Sequence, residues 1–177
     1  MAKRAYIGKR VKRKEDLRLL TGRGLFVDDL SLPGTLYAAF LRSAYAHARI
    51  KSIDTSRAES IKGVVGVYTG EYFKDKIQPL MTAWALTEAD LKPIKWPPVV
   101  SDKARFIGDI VAVVVAEDPY TAYDAVEAID VDYEPLPVVT DVEEAVKPGA
   151  PAIHEEAPDN VAFKWRLTGG EDFDSIA

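Results

Sequence analysis

The stretch GDIVAVVVAEDPYTAYDAVEAIDVDYEPLP, residues 108–137, constrains the fold of this chain more than any other. IVAVVVA, residues 110–116, is apolar throughout and reads as a strand buried on both faces. Asp118-Pro119 then starts a helix, with aspartate as N-cap and proline at the first helical position. Ala122, Val126 and Ile129 recur at i, i+4 and i+7 and form its buried face, while Asp124 and Glu127 turn to solvent. DVDYE alternates as a half-buried strand does, with Val131 and Tyr133 inward and Asp130, Asp132 and Glu134 outward. The expectation is a strand–helix–strand unit in an α+β domain with a mixed sheet.

The flanking sequence fits that class. KEDLRLLTG, residues 14–22, predicts a short helix that ends at Gly22. GLFVDD is expected to be extended, and SLPG, residues 31–34, to turn. LYAAFLRS, residues 36–43, is apolar on both faces and is expected to be a buried strand. ARIKSID, residues 48–54, predicts a strand of imperfect alternation, and SRAESI a helical turn capped by Thr55 or Ser56. GVVGVYTG, residues 63–70, is a strand bounded by glycines. Residues 71–101 hold Pro79, Pro93, Pro97, Pro98, Trp84 and Trp96 and read as an irregular excursion pinned by its aromatics. VEEAV, residues 142–146, is a short helix, and VAFKWRL, residues 161–167, a late strand.

The 177 residues suit one domain with a sizeable core, or a domain plus an arm. Cysteine is absent, so this chain supplies no disulfide, no Cys-ligated cluster or zinc site, and no thiol nucleophile. MAKRAYIGKR carries charge with no apolar stretch behind it, so no secretory leader is expected. The longest apolar run, residues 110–116, is too short to cross a bilayer as a helix. A cytoplasmic location without membrane contact follows as the expectation. Residues 1–23 hold nine Lys and Arg against Glu15 and Asp16, whereas the remainder is strongly acidic. A basic arm on an acidic body suits either nucleic acid or an acidic protein surface. The arm lacks interleaved aromatics and no nucleic-acid motif follows it, so an acidic protein surface is favoured.

Several groupings carry the residue types of known chemistry. Ser43, His47 and Asp54 are those of a hydrolase triad. Ser43 and His47 flank one short connection, however, and seven extended residues put Asp54 roughly 20 Å from His47. The serine also lacks the elbow that a nucleophile needs. The expected reading is a polar strand-to-strand connection, with Arg42, His47 and Arg49 bonding the backbone or a partner. In TGRGLFVDD the third glycine of a dinucleotide fingerprint falls on Val27 and no strand precedes it, so a tight turn is expected. Asp130, Asp132 and Glu134 resemble a hard-cation site in type, but their period of two is that of a solvated strand face. His47 and His154 are the only histidines and neither stands in metal-ligand spacing. No catalytic, cofactor-binding or metal-binding residue is assigned to this chain.

Taken together, these stretches resemble a known family. VKRKEDLRLLTGRGLFVDDLSLPGTLYAAFLRSAYAHARIKSIDTS resembles the start of the molybdenum-binding large subunit of the xanthine dehydrogenase, aldehyde oxidase and carbon monoxide dehydrogenase family. The first half of that pattern is met by Arg13, Glu15, Asp16, Leu19, Thr21, Gly22, Gly24, Phe26, Asp28 and Asp29. The second is met by Leu36, Ala38, Arg42, Ser43, Ala46, His47, Ala48, Ile50, Ile53 and Asp54. ARFIGDIVAVVVAEDPYTAYDAVEAIDVDYEPLPVVTD is similar to a later family segment, and GAPAIHEEAPDNVA to its linker. The details look closest to the carbon monoxide dehydrogenase branch.

The resemblance implies an α/β hammerhead domain in which Ser43 and His47 are scaffold. It implies a basic arm at 1–14, a hammerhead at 15–157 with the excursion 71–101, and the start of a linker at 158–177. The family's molybdopterin-binding segments and catalytic glutamate are expected beyond this region. Its iron–sulfur clusters and FAD are expected on other subunits or domains, so the implied partners are those subunits and the catalytic remainder of the large subunit. Two other readings stand beside it: a stand-alone module that binds an acidic partner through the arm, and a small enzyme with a metal on DVDYE.

Overall fold

The elements follow from local chemistry, and how they pair follows from their apolar faces. The structure, a computed structural model, describes residues 8–80, 90–164 and 169–170. It divides into two units, residues 1–35 and 36–177.

In the first unit the helix α1 spans Asp16–Leu20. It stops at Gly22, whose φ of 70° is the left-handed conformation that glycine adopts without penalty. The Gly22 N–H donates to the Leu19 carbonyl (3.2 Å) and the Arg23 N–H to the Arg18 carbonyl (2.8 Å), which closes the helix end. GLFVDD is not extended as expected. Val27–Asp29 form a 3-10 turn, because the Asp29 carboxylate accepts the Phe26 N–H at 2.8 Å and curls the backbone. The Pro33-Gly34 turn closes with the Thr35 N–H on the Leu32 carbonyl (3.1 Å).

The second unit runs β1 (Tyr37–Arg42), β2 (Ala48–Asp54), α2 (Ser56–Glu59), β3 (Val64–Thr69), α3 (Gly70–Phe73) and β4 (Asp90–Leu91). It continues with β5 (Lys103–Ala104), β6 (Ile110–Ala116), α4 (Pro119–Glu127), β7 (Asp130–Pro135), α5 (Val142–Ala145) and β8 (Phe163–Lys164). One sheet has the order β1-β6-β3, a second β5-β2-β7, and β4 pairs with β8. The α+β class holds, but the expected mixed sheet does not. Every ladder among the described residues is antiparallel. The reason lies in the strand–helix–strand unit: α4 carries the chain from the centre of the first sheet to an edge of the second, so β6 and β7 never pair.

Capping and packing of α4 agree with its sequence. The Asp118 carboxylate accepts the Thr121 N–H at 3.0 Å and Pro119 opens the helix. Ala122, Ala125 and Ile129 are buried, and Val126 is half-buried against the same core. The helix sits on Ala112, Val114 and Ala116 of β6; the small alanines on both surfaces allow a close approach. Ile50, Val100 and Val111 form a second cluster beside the other sheet. Val111 and Val114 are fully buried, and each such side chain contributes roughly 1.5–3 kcal/mol.

LYAAFLRS is a strand, but not a buried one. Only Ala39 of β1 is buried, and Tyr37 and Phe40 are exposed. β1 is an edge strand, and Phe40 stands in a cross-strand row with Val113 and Tyr68, one residue out of phase with the Val114 row that meets α4. At SRAESI Thr55 stands at the N-cap as one of the two expected residues, but its side chain makes no capping bond. The Asp54 carboxylate takes the Ser56 N–H instead, at 3.0 Å. No helix among the described residues is long and apolar enough to cross a membrane.

Candidate functional site

Ser43, His47 and Asp54 are each occupied locally, and no hydrogen bond joins them. Ser43 is buried; its hydroxyl donates to the Tyr45 carbonyl (2.9 Å) and accepts the Tyr45 N–H (3.1 Å). Its backbone bonds Gly108 and Asp109, which ties the end of β1 to the start of β6. His47 is buried with Nδ1 at 2.7 Å from the Pro137 carbonyl. A carbonyl only accepts, so Nδ1 is the donor in that bond, and Nε2 is the ring's other polar atom. That atom is buried without a partner among the described residues. Asp54 is exposed, and two bonds from Ser56 hold its carboxyl below the ordinary carboxylate range. The Ser43 hydroxyl is thus engaged in a turn and the His47 ring on a carbonyl.

Of the neighbouring arginines, Arg42 bonds the backbone as expected, whereas Arg49 meets a side chain of the same chain. Arg42 donates to the Gly108 carbonyl (2.9 Å), and Arg49 meets Glu134 at 3.5 Å. Arg57 meets Asp130, also at 3.5 Å. Two of the three DVDYE carboxylates therefore face arginines across the strand surface. Among the described residues no three His, Cys, Asp or Glu side chains gather as a metal-holding group. In the G-x-G stretch, Gly22 ends a helix and Val27 opens a 3-10 turn, so no strand–turn–helix cradle for a dinucleotide forms.

The densest polar constellation is one the sequence reading did not assemble. Glu155 bonds both Lys103 of β5 and Arg105, the latter at 3.2 Å. The two cations are 13% exposed and Glu155 is 65% exposed. Led by the Lys103 bond, this arrangement pulls the Glu155 carboxyl down to about 2. The Arg105 N–H donates to Asp109 (3.0 Å), whose carboxyl burial pushes up. His154 lies against the Trp96 ring (centroids 4.8 Å apart), and burial lowers its pKa ahead of the charge of Arg105. Asn160, at φ 55°, accepts the Ile153 N–H and donates to the Ala145 and Pro151 carbonyls. Lys92 pairs with Asp159, and β4 pairs with β8.

These ties hold residues 145–164 against the excursion and β5. They border a cavity of about 500 Å³ lined by Phe73, Lys74, Lys95, Arg105, Glu155 and Glu156. Its charges are mixed in sign, and Ser101 and Asp102 also line it. What this constellation does chemically is clamp a chain segment. Glu155 and its cations lie about fifty residues apart, which is why spacing did not reveal them; the turn-forming Pro158-Asp159-Asn160 run was the only local signal. Trp96 does anchor the excursion, whereas Trp84 lies outside the described residues.

The antiparallel α+β architecture agrees with what the comparisons find. Residues 21–137 match the family described as aldehyde oxidase and xanthine dehydrogenase, a/b hammerhead domain, and the chain belongs to that family. It is 39% identical to the carbon monoxide dehydrogenase large chain of Afipia carboxidovorans, over 96% of this chain and 22% of that one. It is 38% identical to the nicotine 6-hydroxylase large subunit of Paenarthrobacter nicotinovorans, over 95% of this chain and 20% of the other. The aldehyde oxidoreductase structure from Desulfovibrio gigas superposes with a TM-score of 0.77 at 31% identity, covering 93% of this chain and 18% of that one. The chain thus spans about a fifth of the length of the curated relatives it matches.

Proposed function

We propose that this chain is the scaffold domain of the large subunit of a molybdenum-cofactor oxidoreductase, of carbon monoxide dehydrogenase, aldehyde oxidase or xanthine dehydrogenase type. The observation that carries the reading is family membership over the hammerhead, joined to a set of side chains that are used on one another. The catalytic and cofactor-binding residues then belong to the rest of the large subunit, with iron–sulfur clusters and FAD on other subunits or domains. A bound molybdenum centre supplies hydroxylation with oxygen drawn from water. This chain's part is mechanical: the Glu155 clamp and Asn160 set the course of the segment that leads towards residues 158–177, the linker in this reading. The excursion and the basic arm 1–14 contact the catalytic remainder, and the enzyme works in the cytoplasm.

The test is to tag the chain, express it in its own host, and measure molybdenum and co-purifying polypeptides. Molybdenum with a larger co-purifying chain is the expected result; neither would sink the reading. For the excursion, Trp84→Ala with Trp96→Ala is expected to weaken that assembly, and unchanged recovery would remove its share.

A further inference from the structure

Among the described residues three buried side-chain polar atoms lack a hydrogen-bond partner, and two of them belong to residues that line one cavity. They are Arg105 Nε and His154 Nδ1. Buried polar atoms are nearly always paired, so two orphans in the walls of one cavity mark a place that receives a polar group. The cavity holds about 210 Å³, and every residue that lines it belongs to the second unit.

Its walls are fixed without a ligand. Pro97 and Pro98 lock the backbone on one side. The Leu80 N–H donates to the Trp96 carbonyl (2.8 Å), and the Trp96 ring packs on His154. On the other side Arg42 donates to the Gly108 carbonyl (2.9 Å) and Arg105 to the Lys103 carbonyl (3.2 Å). A preformed cavity with a few polar groups set in apolar walls is the usual form of a small-molecule site.

Charge and shape select the ligand. Arg42, Lys95 and Arg105 line the cavity against a single carboxylate, Asp109. Asp109 already accepts the Arg105 backbone N–H at 3.0 Å, and Glu155, outside the lining, pairs with the Arg105 guanidinium at 3.2 Å. Among the described residues Lys95 makes no ion pair. One positive charge is left over, which a monoanion neutralises and a dianion overshoots. Trp96, Pro97, Pro98 and Phe106 supply flat apolar surface, which suits a planar ring.

We infer that this cavity is a binding site for a small aromatic monocarboxylate. The carboxylate meets Lys95, Arg105 Nε and His154 Nδ1, each donating, and the ring lies against Trp96 and Phe106. The site does not depend on the function proposed above.

The test titrates the full chain with sodium benzoate, with benzamide as the neutral isostere and sulfate as a bare anion. Binding is read by calorimetry and by the NMR shift of the Trp96 indole N–H. Benzoate is expected to bind with a Kd of roughly 1 mM and to move that resonance. Benzamide and sulfate should bind at least roughly tenfold more weakly, because each lacks one half of the match. Lys95→Gln and His154→Leu are each expected to weaken benzoate roughly tenfold. Lys95 is exposed, so Lys95→Gln should leave the melting temperature unchanged, and it decides the case if His154→Leu lowers it. No saturable benzoate binding up to about 50 mM would overturn the inference. So would equal affinity for benzamide or sulfate, or a benzoate affinity that Lys95→Gln leaves untouched. None of these results touches the proposed scaffold role, which stands or falls on recovery of molybdenum and partner chains.

Discussion

Gly70 shows how narrowly one residue can be determined. A Cβ placed there would lie 2.3 Å from the Val100 carbonyl oxygen, and backbone cannot swing aside as a side-chain tip can. Gly70→Ala is therefore expected to cost about 3 kcal/mol, at the upper end for overpacking, as measured by denaturant unfolding. A loss under about 0.5 kcal/mol would mean that the segment at Val100 slides freely. At His47 the sequence led only to the expectation of a bond to the backbone or a partner. That Nδ1 donates to the Pro137 carbonyl, ninety residues away, depends on where β7 ends.

At the scale of elements, α4 is the best case for reading structure from pattern. Its cap, its proline and its buried face were all legible, because each is set within a few residues. Thr121 holds the Asp118 carboxyl below the ordinary 3.8, through side-chain and backbone bonds. The cap therefore stabilises fully above about 3.8, and that contribution fades as the pH falls below it. Asp118→Ala should lower the melting temperature at neutral pH, with the gap to wild type closing in acid. A constant gap across that range would show that the carboxylate is not the active group. β1 is the opposite case. Its apolar sequence predicts burial, yet Tyr37 and Phe40 are exposed, because an edge strand has sheet on one side only.

The whole molecule is closed by contacts that no local pattern announces. Lys103 and Arg105 reach Glu155 across about fifty residues and hold the segment before β8 in place. The ordinary glutamate value is 4.5 and that of Glu155 is about 2, so its stabilising share is complete above about 4.5 and is lost as the pH falls through about 2. Because Glu155 is largely exposed, solvent screening holds that share to about 1 kcal/mol. Glu155→Gln should lose about that much stability at neutral pH and approach the wild type near pH 2. Urea unfolding at several pH values checks the sign. An equal loss at all pH values would point to packing and not charge.

By itself the sequence determined the main strands, the helix α4 with its aspartate cap, and the absence of a thiol in this chain, because periodicity, an Asp-Pro start and composition act over a few residues. It carried the family pattern as well, from Arg13 to the Tyr133-Glu134 strand end. Only the tertiary structure decided that β6 and β7 enter different sheets, that Phe40 faces outward, and that Glu155 closes on Lys103. The physical reason is that alternation tells which side chains share a face. It does not tell which strand lies alongside, and ion pairs form wherever packing brings charges together.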